Sequence, residues 1–287
     1  MTPLELQPEW ADSWKLSHRY DLMELWGDTR HRGYAYAYAN RRRATLALLG
    51  EVLAPGARVL DMAAAQGNFS IALAERGYRV TWNDLRGELE AYVRLKHRSG
   101  DIDYAPGNAF DLQFAEPFDA VLITEVIEHV AHPDEFLRSA AQLVRPGGYL
   151  IMTTPNGAYF RNNLPRFSEC ADPSQFEAVQ FQPDGDGHIF LLHPDEVPPL
   201  AAKAGLAIDR FELFTNPLTN GHVKTERLLH LLPRSVVDAV ERLSQQVPGF
   251  IGRRLLVQMG VRFRRGVAPA RLNAPPSHPT CASGAAP

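Results

Sequence analysis

RVLDMAAAQGNFSIALAERGYRVTWND, residues Arg58 to Asp84, decides the fold. Val59, Leu60 and Met62 form a short apolar run that Asp61 interrupts. Ala63, Ala64, Ala65, Gln66 and Gly67 then offer almost no side-chain bulk. Phe69, Ala72 and Leu73 recur at i, i+3, i+4, the spacing of one helix face, and Gly77 is placed to end that helix. A second strand, Arg79 to Trp82, ends at Asn83-Asp84. This is a βαβ opening, and its chemistry belongs at the carboxyl ends of the two strands. A turn of small residues lets backbone amides approach a ligand, and an acid closing the next strand can accept from ribose hydroxyls.

Downstream, a helix is expected over Glu88 to His97 and a third strand over Ile102 to Ala105, followed by Gly107-Asn108-Ala109. Phe118 to Thr124 is continuous in apolar residues, as a parallel strand buried on both faces should be. It delivers Glu125-Val126-Ile127-Glu128-His129-Val130. A helix over Pro133 to Val144, a turn at Arg145-Pro146-Gly147-Gly148, a strand over Tyr149 to Thr153 and Thr154-Pro155-Asn156 follow. Residues 157–187 lack periodicity, and a long loop placed after a fifth strand lies over the crevice. His188 to Leu192 reads as extended, Pro194 to Ala204 as a helix, and Leu206 to Phe214 as a sixth strand. Thr225 to Gln246 has helical periodicity broken at Pro233, and Val257, Met259, Val261 and Phe263 alternate as a last, antiparallel strand. Beyond Gly266 the Ala-, Pro- and Ser-rich tail is expected to be disordered.

Upstream, residues 1–40 are aromatic, and GYAYAYANRRR alternates Tyr34, Tyr36 and Tyr38 with alanine before a helix expected from the basic cluster through Leu53. Strict alternation in extended chain would put all three tyrosines on one face. The segment is either an N-terminal helix plugging one side of the sheet or a lid whose aromatic rings cover an apolar substrate or a cation.

The chain has 287 residues, 45% hydrophobic and 22% charged, which fits one large α/β domain with appendages. A net charge of −3 gives no global pull toward nucleic acid, although Arg41-Arg42-Arg43 and Arg262, Arg264 and Arg265 are local basic clusters. Two cysteines, Cys170 and Cys281, exclude a disulfide framework and a Cys-rich zinc site. No apolar run approaches the ~20 residues of a membrane span, and the polar N-terminus is no signal peptide, so the expected address is cytoplasmic.

Ala63, Ala65 and Gly67 fall at every second residue, Asp61 lies two before the first, and Asp84 follows Asp61 by 23 positions. The pattern resembles the D-x-G-x-G-x-G motif of class I S-adenosylmethionine (SAM) dependent methyltransferases, with two glycines replaced by alanine. If those positions need φ > 0, each alanine costs roughly 1–2 kcal/mol. The order strand, EVIEHV, helix, RPGG, strand, TTPN is similar to the branch that holds the ubiquinone-type O-methyltransferases and many sugar and natural-product enzymes, over roughly residues 55–156. The resemblance implies an α/β, Rossmann-like, doubly wound and mostly parallel seven-stranded sheet with an antiparallel last hairpin. From the residues themselves, the chain divides into an N-terminal aromatic helical lid (1–54), a methyltransferase domain (55–266) carrying an acceptor-binding insertion (157–187) and a helical insertion (217–254), and a tail expected to be disordered (267–287). Asp61, Ala63, Ala65, Gly67, Asp84, Asn108, Ala109 and Glu125 would bind SAM, with Asn108 where the family commonly has an acid against adenine. The expected acceptor is a hydroxyl of a small molecule or glycan.

For the reaction, His129 is the candidate general base beside Glu128, because an imidazole's reference pKa of about 6.5 suits proton removal near neutrality. Glu125, Glu128 and His129 share a face if their turn is helical, and two carboxylates with an imidazole can ligate Mg²⁺, Mn²⁺ or Zn²⁺. Similar Glu-x-x-Glu-His runs hold a divalent metal in the ubiquinone-type enzymes and in small-RNA 2′-O-methyltransferases. The latter add a distant His before a Phe, a place His188 could take in GDGHIF. Tyr159, Arg161, Asn162 and Asn163 are placed to meet an acceptor. An RNA 2′-O-methyltransferase and a catalytically silent SAM-fold partner protein stay open as alternative readings.

Overall fold

Alternating apolar strands and amphipathic helices assemble around a seven-stranded sheet in the order β3-β2-β1-β4-β5-β7-β6. The structure, a computed structural model, describes residues 3–26, 31–180, 187–220 and 224–266. The expected disordered tail and part of the 157–187 insertion lie outside the described residues. The parallel strands are β1 (Arg58–Met62), β2 (Arg79–Trp82), β3 (Asp101–Tyr104), β4 (Phe118–Thr124) and β5 (Val144–Pro155). β7 (Gln258–Arg265) runs antiparallel between β5 and β6 (Leu206–Phe214). The expected sheet, with its antiparallel last hairpin, is the one observed.

Helices cover both faces, as a buried parallel sheet requires. On one, α5 (Pro133–Leu143) and α6 (Val197–Lys203) bring Phe136, Leu137, Val197 and Leu200 onto Leu60, Val121, Ile123, Leu150 and Val261. On the other, α2 (Arg32–Gly50) and α3 (Asn68–Ala74) bring Leu48, Leu49, Phe69 and Leu73 onto Val59, Val80, Ala120, Leu122 and Ile151. α1 (Asp12–Glu24) touches α2 and α4 (Leu89–Lys96), and its Asp21 is buried against Lys96 at 2.8 Å and the Tyr92 hydroxyl at 2.7 Å. A buried lysine loses hydration on burial, and this carboxylate offsets that loss.

Four local expectations change. The basic cluster does not begin a helix: α2 starts at Arg32 and takes in the whole Tyr/Ala repeat. Period two on a helix turns each tyrosine about 200° from the next. Tyr34 and Tyr38 therefore share one face while Tyr36 points away. The turn at Arg145–Gly148 is absorbed into β5, with Gly147 at φ 76° and an irregular register against β4. Residues 188–192 carry no ladder. Arg262 is no surface charge: it is buried, and it ties β7 to Asp209 at 2.5 Å, Glu51 at 2.8 Å and the Leu48 carbonyl at 2.7 Å. Pro233 separates α7 (Glu226–Leu231) from α8 (Arg234–Ser244), and α9 (Gly249–Leu255) follows, while residues 221–223 of the expected helical insertion lie outside the described residues. No described helix is long and apolar enough to cross a membrane.

Candidate active site

The carboxyl ends of β1, β4 and β5 open into a cleft of about 910 Å³, which α2 and the loops after β5 complete. At one end is the Ala63–Gly67 turn. Ala63, Ala65 and Gly67 all take left-handed φ, at 53°, 48° and 72°. Both alanines thus occupy backbone conformations that glycine adopts without strain. Gly67 has no such latitude, since a Cβ there would lie 2.6 Å from Val93 Cγ1.

The acids flanking this turn do different things. Asp61 is fully buried and accepts from Ser70 Oγ at 2.5 Å, and its Oδ1 has no partner. Burial, only partly offset by Ser70, pushes its carboxyl up to about 7. Asp84 is buried at the end of β2 and accepts from the Ala65 amide at 2.8 Å and the Arg86 amide at 2.9 Å. The Arg86 guanidinium also reaches it, at 3.0 Å. The Ala65 amide is thereby spent, and the Gly67 amide donates to the Ala64 carbonyl at 2.8 Å. These two amides serve the turn itself; what the small residues leave for a ligand is close access. Asn108 is exposed and turns its side chain to Asp111 and the Phe110 amide, and neither it nor buried Ala109 lines the cleft.

The far end is built from side chains. Glu125 closes β4 at φ 54°, a conformation costly for a non-glycine residue and frequent at functional sites. The turn Ile127–His129 then presents Glu128 and His129. Glu128 is buried and accepts from Thr154 Oγ1 at 3.0 Å, leaving Oε1 buried without a partner. Burial, reinforced by the negative charge of Glu125, holds its carboxyl well above the usual range. His129 Nδ1 lies 3.3 Å from the Gly187 carbonyl. A carbonyl can only accept, so Nδ1 carries a proton, and in the neutral ring Nε2 is the nitrogen left to accept one. The His188 ring packs edge-on to His129 at 5.0 Å.

His188 arrives there through the backbone. The Ile189 amide donates to the Glu128 carbonyl at 2.7 Å, Ile189 and Phe190 pack on Ala131, and the Gly157 amide donates to the Leu192 carbonyl at 3.0 Å. Gly157 makes this possible, because a Cβ there would sit 2.0 Å from the Leu191 carbonyl oxygen. One ligand atom each from Glu128, His129 and His188 lies within 4.8 Å of the others. Glu125, the fourth expected ligand, stands outside that group and faces Arg41 at 2.9 Å and Gln258 at 3.4 Å.

Arg41 is the main residue that sequence reasoning missed. Burial opposes its charge, but Glu125 and Glu24 outweigh that and hold it more firmly ionised than usual. Its guanidinium carbon lies 5.2 Å from the Tyr38 ring centroid. The signal was Tyr34, Tyr38 and Arg41 at i, i+4, i+7, legible once α2 is known to be helical throughout. Gln66 and Asn68 were also missed: both donate to Glu24 at 2.9 Å and so fasten α1 to the turn. Tyr159, Arg161, Asn162 and Asn163 all line the cleft.

Residues 30–210 match a family described as "Methyltransferase domain". The ubiquinone biosynthesis O-methyltransferase of Xanthomonas campestris pv. campestris (strain B100) is 41% identical over 109 residues, 37% of this chain and 46% of that protein. The protein of the same name from Stutzerimonas stutzeri (strain A1501) is 36% identical over 172 residues, 57% of this chain and 71% of that protein. This chain thus spans less than half the length of the first relative. The solved structure of the [4+2]-cyclase SpnF has a TM-score of 0.55 at 17% identity, covering 89% of this chain and 97% of that one. At that identity the likeness is one of fold. With a family match over most of the chain and the expected seven-stranded sheet with its antiparallel last hairpin, the chain belongs to the class I SAM-dependent methyltransferases.

Proposed function

We propose that this chain transfers a methyl group from SAM to a hydroxyl of a small molecule or glycan, with His129 as general base. What supports the reading is one cleft that joins the left-handed Ala63–Gly67 turn to an imidazole whose Nε2 lone pair is available. The sulfonium of SAM supplies an activated methyl and leaves as S-adenosylhomocysteine. The protein's task is alignment and removal of one proton. Asp84 takes the ribose hydroxyls once the Arg86 guanidinium releases it, and Asp61 and the turn seat the nucleoside. The orphaned oxygen of Glu125 and the Arg41 guanidinium offer partners for the ammonium and carboxylate of the methionine portion. His129 Nε2 accepts the hydroxyl proton as the acceptor oxygen bonds to the methyl carbon and the carbon–sulfur bond breaks. In this reading α2 closes the cleft through Tyr34 and Tyr38, and Tyr159, Arg161, Asn162 and Asn163 form the acceptor wall.

A second reading is favoured by the close grouping of Glu128, His129 and His188 and by the buried, unpartnered Glu128 Oε1. One carboxylate and two imidazoles fit Zn²⁺, Mn²⁺ or Mg²⁺, and such a cation would polarise the acceptor hydroxyl as a Lewis acid. Calorimetric titration with SAM, followed by transfer of labelled methyl to catechol and sugar hydroxyls, tests both. Micromolar SAM binding and an O-methylated product are expected. Turnover that survives a chelator retains His129 as base, and turnover lost to it and restored by one cation installs the metal. A folded protein that binds neither SAM nor S-adenosylhomocysteine sinks the enzyme reading.

A further inference from the structure

On the side of α2 opposite the cleft lies a second cavity of about 670 Å³, divided from the first by Tyr38 and Glu24, which line both. Five arginines converge on it from three elements: Arg32, Arg42 and Arg43 of α2, Arg76 just beyond α3, and Arg234 at the start of α8. Among the described residues two acids join them, and both are engaged. Glu24 accepts from Tyr34, Gln66 and Asn68, while Asp238 faces Arg234 at 3.8 Å.

The arginines' own side-chain hydrogen bonds do not cancel their charge. Arg32 donates to the Leu229 carbonyl at 3.1 Å, Arg76 to the Ala72 carbonyl at 2.6 Å, and Arg43 to Asn40 Oδ1. These acceptors are neutral. Arg42 Nε is buried with no partner at all. In a chain of net charge −3, this concavity is a local surplus of positive charge, and low-dielectric walls focus such a field. Guanidinium groups present paired N–H donors that match phosphate oxygens. Arginines arriving from three directions suit a tetrahedral anion better than a planar carboxylate. Tyr36, Leu25 and Leu46 supply an aromatic and apolar wall for whatever the phosphate is attached to.

We infer that this cavity binds a phosphate ester, at a site separate from the methyl-transfer cleft and independent of the reading of that cleft. Full-length protein would be titrated calorimetrically with phenyl phosphate and with inorganic pyrophosphate. It would also be sedimented with phosphatidylcholine vesicles with and without phosphatidylglycerol. Arg42→Gln and the double variant Arg76→Gln/Arg234→Gln would be run in parallel, with SAM affinity as a control. The double variant changes only exposed side chains, so it keeps the test open if Arg42→Gln fails to fold. Saturable, salt-sensitive binding is expected, weakened about ten-fold or more in each variant at unchanged SAM affinity. Binding of the soluble probes assigns the site to a free phosphate ester, and binding confined to anionic vesicles assigns it to a lipid headgroup. Wild-type protein that binds none of these probes overturns the inference, as does a folded double variant that binds like wild type.

Discussion

The two ends of the cleft are built by opposite means. The turn end is one continuous stretch, Arg58 to Asp84, whose form is set by backbone: three left-handed residues, two internally spent amides and a carboxylate locked to the Ala65 N–H. The far end is gathered from α2, the 125–129 segment and residue 188, and is held by side chains and by one backbone bond from Ile189 to Glu128. A backbone site tolerates side-chain change as long as the conformation survives, which is how Ala63 and Ala65 can stand where glycine is easier. A side-chain site has no such slack, because each group is separately placed.

The sharpest test of this contrast removes one side chain from the far end. His129→Ala should lower turnover roughly 10²–10⁴-fold while leaving SAM affinity within about two-fold, read by steady-state kinetics beside calorimetry. Asp84→Ala attacks the turn end and should do the reverse. It removes charge-assisted hydrogen bonds of about 1.5–3 kcal/mol, so SAM should bind roughly 10–100-fold more weakly. Equal loss of affinity in both variants would erase the division.

Gly157→Ala reaches the far end through backbone alone. The added Cβ has no room against the Leu191 carbonyl, so the 188–192 segment must shift. A loss of about 1–3 kcal/mol in urea unfolding is expected, with turnover falling and SAM binding kept. Asp61 acts through pH instead. Its folded pKa, about 7, lies above the unfolded value, so the folded state holds the proton between the two. Stability is then full below about pH 4 and declines as pH rises toward 7, with a slope of at most about 1.4 kcal/mol per pH unit. Asp61→Asn should flatten that slope in unfolding curves measured from pH 4 to 7. Least of all, Ala63→Gly and Ala65→Gly each relieve roughly 1–2 kcal/mol of left-handed strain but add about 0.4–1 kcal/mol of unfolded-state entropy. A net gain of about 0.5–1 kcal/mol per site is expected, and a loss would mean the turn is not strained.

How far the molecule can be read without its structure follows from the same division. The sheet and its last antiparallel strand were legible because strand periodicity and turn residues are local signals. α2 was misjudged because Tyr/Ala alternation satisfies a strand's period as well as a helix's spacing, and only packing of Leu48 and Leu49 on the sheet decides between them. Of the residues expected to hold a metal, three gather and Glu125 does not, because its left-handed φ and the pull of Arg41 aim it elsewhere. Asn108 sits in the expected loop, but its side chain caps that loop and does not face the cleft.

The amino-acid order by itself determined the βαβ opening, the spacing from Asp61 to Asp84 and the family, since each depends on residues close in the chain. Tertiary structure alone decided that Arg41 meets Glu125 across 84 positions and that His188 meets His129 across 59. It also decided that five separate arginines surround one cavity. Those arrangements depend on how helices dock and loops return, and no local periodicity encodes that.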